Sequence, residues 1–279
     1  MKENTCGETN RRVWEIDAFR GFLILAVLIN HLTVTVDAFC INGYYNIDSE
    51  AWIRITDPLG VWFAHNADGT YRWASWVTML REYCTYPAVN TFFIISGITC
   101  QFSRNNLKRS LRVLAAGIFI SAFTFGLWKW TGDPTRFIRF GVLMCYAFCQ
   151  LIYVFIFEKK SNRILLIAVI PVLIIGYFLL YYGVSPTKLP IFYIFGVPQA
   201  GDMSSDFWPI FPMLGWFLLG VVIGRKYYSE KKTLLPSGTA DRITRPLQFL
   251  GRHSGVIYVG HIIVYTAVFC GIGYIFGLL

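Results

Sequence analysis

The chain predicts an all-α polytopic membrane protein of about seven transmembrane helices, with its N-terminus inside and its C-terminus outside. Three observations carry that expectation. First, 55% of its 279 residues are hydrophobic and only 15% are charged, with a mean hydropathy of +0.50, far from the composition of soluble domains. Second, apolar stretches near the roughly 20 residues that span a bilayer recur at 17–39, 84–103, 110–128, 137–157, 164–182, 207–224 and 254–277. Third, the connecting segments alternate between rich and poor in Lys and Arg. Seventeen of the 25 fall in the N-terminal tail and after the second, fourth and sixth stretches; seven fall in the other segments, and Arg20 lies inside the first stretch. Cytoplasmic segments retain the positive charge, which sets the orientation. The same distribution turns the net charge of +9 toward cytoplasmic lipid, so no nucleic-acid partner is expected.

A single membrane domain is expected over 1–279. Residues 1–15 are polar and read as a cytoplasmic tail without a cleavable signal, so the first apolar stretch is itself an anchor. That stretch carries ionisable groups at defined places: Asp17 and Arg20 at its start, His31 beyond its middle and Asp37 near its end. An ionisable side chain at membrane depth costs at least a few kcal/mol unless paired or hydrated. Arg20 and His31 are eleven residues apart, about three helical turns, which puts them on one face some 16 Å apart along the axis. Asp17 falls on the same face. Arg20 could snorkel to headgroups beside Asp17 while His31 packs between helices. Together on one stripe they point instead to a functional site, with His31 as the side chain able to exchange a proton near neutral pH.

The segment 41–83 is too long for a simple connection and holds Trp52, Trp62, Trp73 and Trp76. An extracytoplasmic loop with an interfacial helix is expected there; its His65 reads as a solvated side chain. The second stretch ends in FFIISG (92–97), where Ser96 and Gly97 are small enough to let helices approach closely. A basic run follows, Arg104, Lys108, Arg109 and Arg112. It reads as a topology signal and as a landing site for a phosphorylated cytosolic molecule. Asp206 opens the sixth stretch with two prolines three residues apart, Pro209 and Pro212, which suits an irregular start from the outer side. Its carboxylate is a candidate to orient an imidazole and equally a helix N-cap. Residues 229–245 read as a cytoplasmic linker. His261, on the apolar seventh stretch, reads as a packing residue. The seven cysteines are scattered without a CxxC pair, so neither a metal nor a disulfide framework is expected.

Five segments carry a resemblance. IDAFRGFLILAVLINH (16–31), FFIISG with its basic run, FIRFGVL (137–143), DFWPIFPMLGWFLLGVVIGR (206–225) and FLGRHSGVIYVGH (249–261) look like a small prokaryotic member of the heparan-alpha-glucosaminide N-acetyltransferase family. More distantly they resemble the acyltransferase-3 group, which shares the spacing of Arg20 to His31 and the FFxxSG signature. The resemblance implies a multi-pass plasma-membrane enzyme moving acetyl from cytosolic acetyl-CoA to an amine or hydroxyl of an extracytoplasmic sugar or glycan. His31 would be the general base, with Asp206 and Asp37 as associated carboxylates. Arg20, Asp17, Ser96, Arg104, Lys108, Arg109 and Arg112 would meet the donor. The expected partners are acetyl-CoA, a sugar or glycan acceptor, the lipid bilayer and a second copy of the chain in a homodimer. Two departures stand out: Met144 occupies a place where the family commonly has a histidine, and Asp37 lies further beyond His31 than the usual aspartate. A transporter or channel, and a membrane protein that keeps this fold without catalysis, are the other classes open to such a chain.

Overall fold

The computed structural model describes residues 13–36, 76–132, 134–181, 189–197, 204, 206–236 and 238–277. Asp37, His65, the N-terminal segment through residue 12 and the expected extracytoplasmic loop through residue 75 lie outside the described residues. Among those described the chain is all-helical, with no strand. Helices occupy each of the seven expected stretches: α1 Trp14–Val36, α2 Trp76–Ile98, α3 Asn106–Thr131, α4 Val142–Ile152, α5 Asn162–Tyr181 and α6 Ile210–Tyr227. After a short amphipathic helix α7, Arg245–Arg252, comes α8, Ser254–Ile275. Four of them, α3, α5, α6 and α8, are long and apolar enough to cross a membrane; the shorter apolar helices are 87–102 and 142–157.

The boundaries differ from the expected ones for local reasons. The second helix begins at Trp76 and runs through Pro87 before tightening into a 3-10 turn at Thr99–Phe102. The fourth starts at Val142, because Pro134–Arg136 forms its own 3-10 turn and Gly141 is extended (φ −82°, ψ 178°). It continues as a π-helical turn, Tyr153–Phe157. The irregular start expected at the paired prolines is present: Phe211 has non-helical dihedrals inside α6, and its bond to Pro212 is cis. Within 229–245, residues Thr239–Ile243 are helical.

The chain forms two compact units, one mainly Asn90–Pro236, the other Trp14–Val89 with Ser237–Leu279. In the first, α6 is the central helix, packed by α4, α5 and the 3-10 turn after α2. Its Met213, Phe217, Leu218 and Val221 are almost wholly buried, with Phe93 and Leu165 beside them. A Cβ on Gly97 would strike the Phe217 carbonyl, and one on Gly220 would strike the Ile94 carbonyl. The two backbones therefore touch through reciprocal glycines, the kind of small-residue contact that packs helices in lipid. On α5 the pattern is inverted relative to a soluble helix: Ile167, Ile170 and Ile174 are 70%, 62% and 64% exposed. Such a stripe suits hydrocarbon. Arg225, near the end of α6, donates to the carbonyls of Lys160 (2.6 Å), Glu158 (2.7 Å) and Phe157 (3.4 Å), to Asn162 Oδ1 (3.4 Å) and to Tyr153 Oη (3.1 Å). One guanidinium thus closes the turn that follows the π-helical segment.

The second unit is built on α1, against which α7 and α8 pack. Trp14, Ile16 and Ala18 are buried at its start. Here too the close approach is reciprocal: a Cβ on Gly21 would strike the Leu247 carbonyl, and one on Gly251 would strike that of Asp17. The pairs 17 with 251 and 21 with 247 show that α7 runs antiparallel to the first turns of α1. Gln248 fixes the preceding turn by donating to the carbonyl and to Oδ1 of Asp241, each at 2.9 Å.

Candidate functional site

In the second unit the polar stripe of α1 meets α8. Arg20 Nη2 donates to Ser254 Oγ at 3.0 Å. Further along, His31 Nδ1 lies 2.6 Å from His261 Nε2, the ring centroids 4.8 Å apart and the planes at 41°. His261 is buried, and His31 and Arg20 are half-buried. Tyr258 presents its ring edge-on to both imidazoles, at 6.2 Å and 5.4 Å between centroids. Tyr265 packs edge-on against His261 at 5.5 Å and donates its hydroxyl to the Leu28 carbonyl at 3.2 Å. The backbone at His31 is engaged as well, its carbonyl accepting from Thr35 Oγ1 at 2.8 Å. The helical spacing that aligns Asp17, Arg20 and His31 therefore brings two of the three against a second polar stripe, Ser254 and His261, seven residues or about two turns apart.

In the first unit the basic run lies at the start of α3. Asn105 caps that helix, its side chain accepting from the Lys108 N–H at 2.8 Å. Arg104, Lys108 and Arg112 are exposed, whereas Arg109 is half-buried. Its Nη2 donates to Thr99 Oγ1 and to Tyr146 Oη, both at 2.6 Å. A guanidinium held by neutral hydroxyls is fixed in place without having its charge neutralised, which suits it to an anion. Ser96 is buried one turn before, and its carbonyl accepts from Thr99 Oγ1 at 2.9 Å. The end of α2 and the start of α3 thus gather Ser96, Thr99, Arg109 and the exposed cations.

Asp206 belongs to the same unit. Its Oδ2 accepts from the Val142 N–H at 3.4 Å, so it serves the first residue of α4 rather than its own helix. A Cβ on Gly141 would lie 2.5 Å from that oxygen, so the glycine makes room for the carboxyl. The residue keeps some surface, but its carboxyl is turned inward. Burial pushes its pKa from the usual 3.8 up to about 6, against hydrogen bonds from Trp208 and Val142 that pull it down. Met144, on the next turn of α4, packs against Gly117 and accepts from Ser121 Oγ at 3.4 Å. The side chain at position 144 thus serves helix packing.

Sequence reasoning singled out Arg20, His31, Arg109 and Asp206 but not Ser254 or Tyr146, and it read His261 as packing. The polar pair Ser254 and His261 at a two-turn spacing on an apolar helix was the one readable signal for the missing half.

A family model described as heparan-alpha-glucosaminide N-acetyltransferase, catalytic, matches residues 12–263. No curated protein and no solved structure matches the chain. The match runs from the tail before α1 through the histidine pair, covering both units. With four helices apolar enough to cross a bilayer and a match over most of its length, the chain is a membrane protein that belongs to the heparan-alpha-glucosaminide N-acetyltransferase family.

Proposed function

We propose that the protein is an acyl-CoA-dependent transferase of the plasma membrane. It moves acetyl from cytosolic acetyl-CoA to an amine or hydroxyl of an extracytoplasmic sugar or glycan, with His31 as general base. Membership of an acetyltransferase family supports the reaction class. The observation that carries the assignment of the base is the polar contact of α1 with α8, where His31 meets His261 on the face that also holds Arg20.

In this reading the acceptor nucleophile attacks the thioester carbonyl carbon while His31 takes its proton. The new C–N or C–O bond forms, the C–S bond breaks, and the proton passes to the leaving thiolate to give CoA thiol. Arg109 and the exposed Arg104, Lys108 and Arg112 attract the phosphates of the nucleotide end, with Ser96 buried one turn before Thr99; Arg20 and Asp17, near the start of α1, are the other residues assigned to the donor. Asp206 contributes a carboxyl that changes charge near pH 6 on the acceptor side, and Asp37 a second one close to the end of α1. The expected seven crossings with a cytoplasmic N-terminus would put the basic run on the cytoplasmic face and Asp206 on the opposite one.

The test is thiol release from acetyl-CoA by purified protein in detergent, with and without glucosamine-bearing acceptors. Acetylated acceptor formed in step with free thiol supports the reading. Donor that neither binds nor turns over would leave a membrane protein that has kept the fold without its chemistry.

A further inference from the structure

We infer that His261 is the positioning residue that selects the tautomer of His31, leaving the Nε2 of His31 as its proton-accepting atom. His261 Nδ1 lies 3.3 Å from the carbonyl of Ile257, one turn earlier on α8. A carbonyl oxygen only accepts, so the hydrogen of neutral His261 sits on Nδ1. A neutral imidazole carries one N–H, and the other nitrogen holds a lone pair. The Nε2 of His261 is then an acceptor, and the 2.6 Å contact to His31 Nδ1 has a donor only if His31 carries its hydrogen on Nδ1. That assignment places the lone pair of neutral His31 on Nε2.

This ordering matters because an unconstrained histidine side chain favours the opposite tautomer, with the hydrogen on Nε2, which could not accept a proton there. The pair is held so that the ordering persists. His261 is buried, its ring is flanked edge-on by Tyr258 and Tyr265, and Tyr265 is tied to the Leu28 carbonyl one turn before His31. When His31 accepts a proton at Nε2, its Nδ1–H remains donated to His261, so the imidazolium keeps a fixed orientation and an acceptor for its charge. No proton need cross to His261 in the step, and the balance at the reacting atoms is unchanged. The inference rests on the proposed role of His31, but the tautomer it specifies is measurable without turnover.

The experiment is nitrogen NMR of the full-length protein in detergent at pH 8, labelled with 15N-histidine. The chain has four histidines, and His31→Gln identifies the His31 signals by their loss. The expected result is an Nδ1–H tautomer for His31 in the wild type, retained in His261→Gln, whose amide oxygen can accept in place of Nε2. In His261→Phe, which keeps ring volume without an acceptor, it changes to Nε2–H. In the acyl-transfer assay His261→Phe lowers kcat about ten- to a hundredfold with the donor KM little changed, and His261→Gln recovers most of it. An Nε2–H tautomer for His31 in the wild type, or an unchanged tautomer in folded His261→Phe, overturns the inference. Should His261→Phe fail to fold, the wild-type tautomer alone decides. An Nδ1–H tautomer in a protein without acetyl transfer would remove the proposed reaction and leave the pairing intact.

Discussion

Arg20 donates from Nη2 to the hydroxyl of Ser254 at 3.0 Å, and this bond helps to fix the sense in which the first and last helices run. The next polar contact along α1, from His31, falls on His261. Residue numbers rise together on both helices, so α1 and α8 are parallel. The proposed topology of seven crossings likewise has its first and last helices running in the same direction. The loop charges predict a cytoplasmic N-terminus. Cysteines introduced at Glu230 and Arg139, both exposed, are therefore expected to react with impermeant maleimide from opposite sides in oriented vesicles. Labelling of both from one side would exclude this topology.

Two arginines assigned to the cytoplasmic side should respond differently to substitution. Arg109 has two neutral hydroxyl partners and is expected to bind the donor. A charge-assisted hydrogen bond contributes about 1.5–3 kcal/mol, so Arg109→Ala should weaken acetyl-CoA binding about ten- to a hundredfold. That affinity should also fall as salt rises. Arg225 is engaged by three carbonyls, an amide and a phenol, so Arg225→Ala should lower the melting temperature more than the donor affinity. Calorimetric binding and thermal melts of both variants check this pair of outcomes. Equal affinity for the donor in wild type and Arg109→Ala would reduce the basic run to a topology signal.

Glycine substitutions separate close backbone contact from mere helical position. Gly21 and Gly251 have no room for a Cβ against the Leu247 and Asp17 carbonyls, whereas Gly255 and Gly260 meet nothing within 4 Å. Gly251→Ala should destabilise by about 1–3 kcal/mol through overpacking. Gly260→Ala should be neutral or stabilising by up to about 1 kcal/mol through helix propensity. Comparable melting temperatures for the two variants would contradict the close packing of α7 on α1.

Asp206 predicts a pH signature in stability. Its pKa is raised from 3.8 to about 6 in the folded chain, so the folded state holds the proton more tightly than the unfolded one. The stability this group contributes is fully present below about pH 4 and is lost as pH rises through 6. Asp206→Asn can still accept from the Val142 N–H but cannot titrate. Relative to this variant, the wild type should therefore gain stability between pH 7.5 and pH 4.5 in chemical or thermal unfolding. Parallel pH profiles for the two proteins would show that the carboxyl is not buried against Gly141 and Val142.

Much of the fold was legible because lipid imposes simple rules. Long apolar runs marked stretches that are helical among the described residues, and FFIISG placed Gly97 where α2 needs a small residue against α6. Pro209 and Pro212 marked the irregular start of α6. What stayed hidden depends on contacts between distant segments. Asp206 was readable as an N-cap, but the helix it serves begins at Val142, 64 residues earlier. His261 carries the same local signal as any histidine on an apolar helix. Its pairing with His31 spans 230 residues and exists only once α8 lies along α1. Tyr146 likewise looked like one more aromatic in an apolar run until folding set its hydroxyl beside Arg109.

The central claim is that His31 takes the proton of the acceptor, and turnover by His31→Gln tests it most directly. Glutamine keeps polarity and approximate size but cannot accept a proton near neutral pH. The measurement is the rate of thiol release from acetyl-CoA in the presence of a glucosamine-bearing acceptor, on protein whose melting temperature and acetyl-CoA affinity are determined in parallel. The account predicts a folded, donor-binding variant whose rate falls about 10²–10⁴-fold. A folded His31→Gln protein that turns over at the wild-type rate would contradict it.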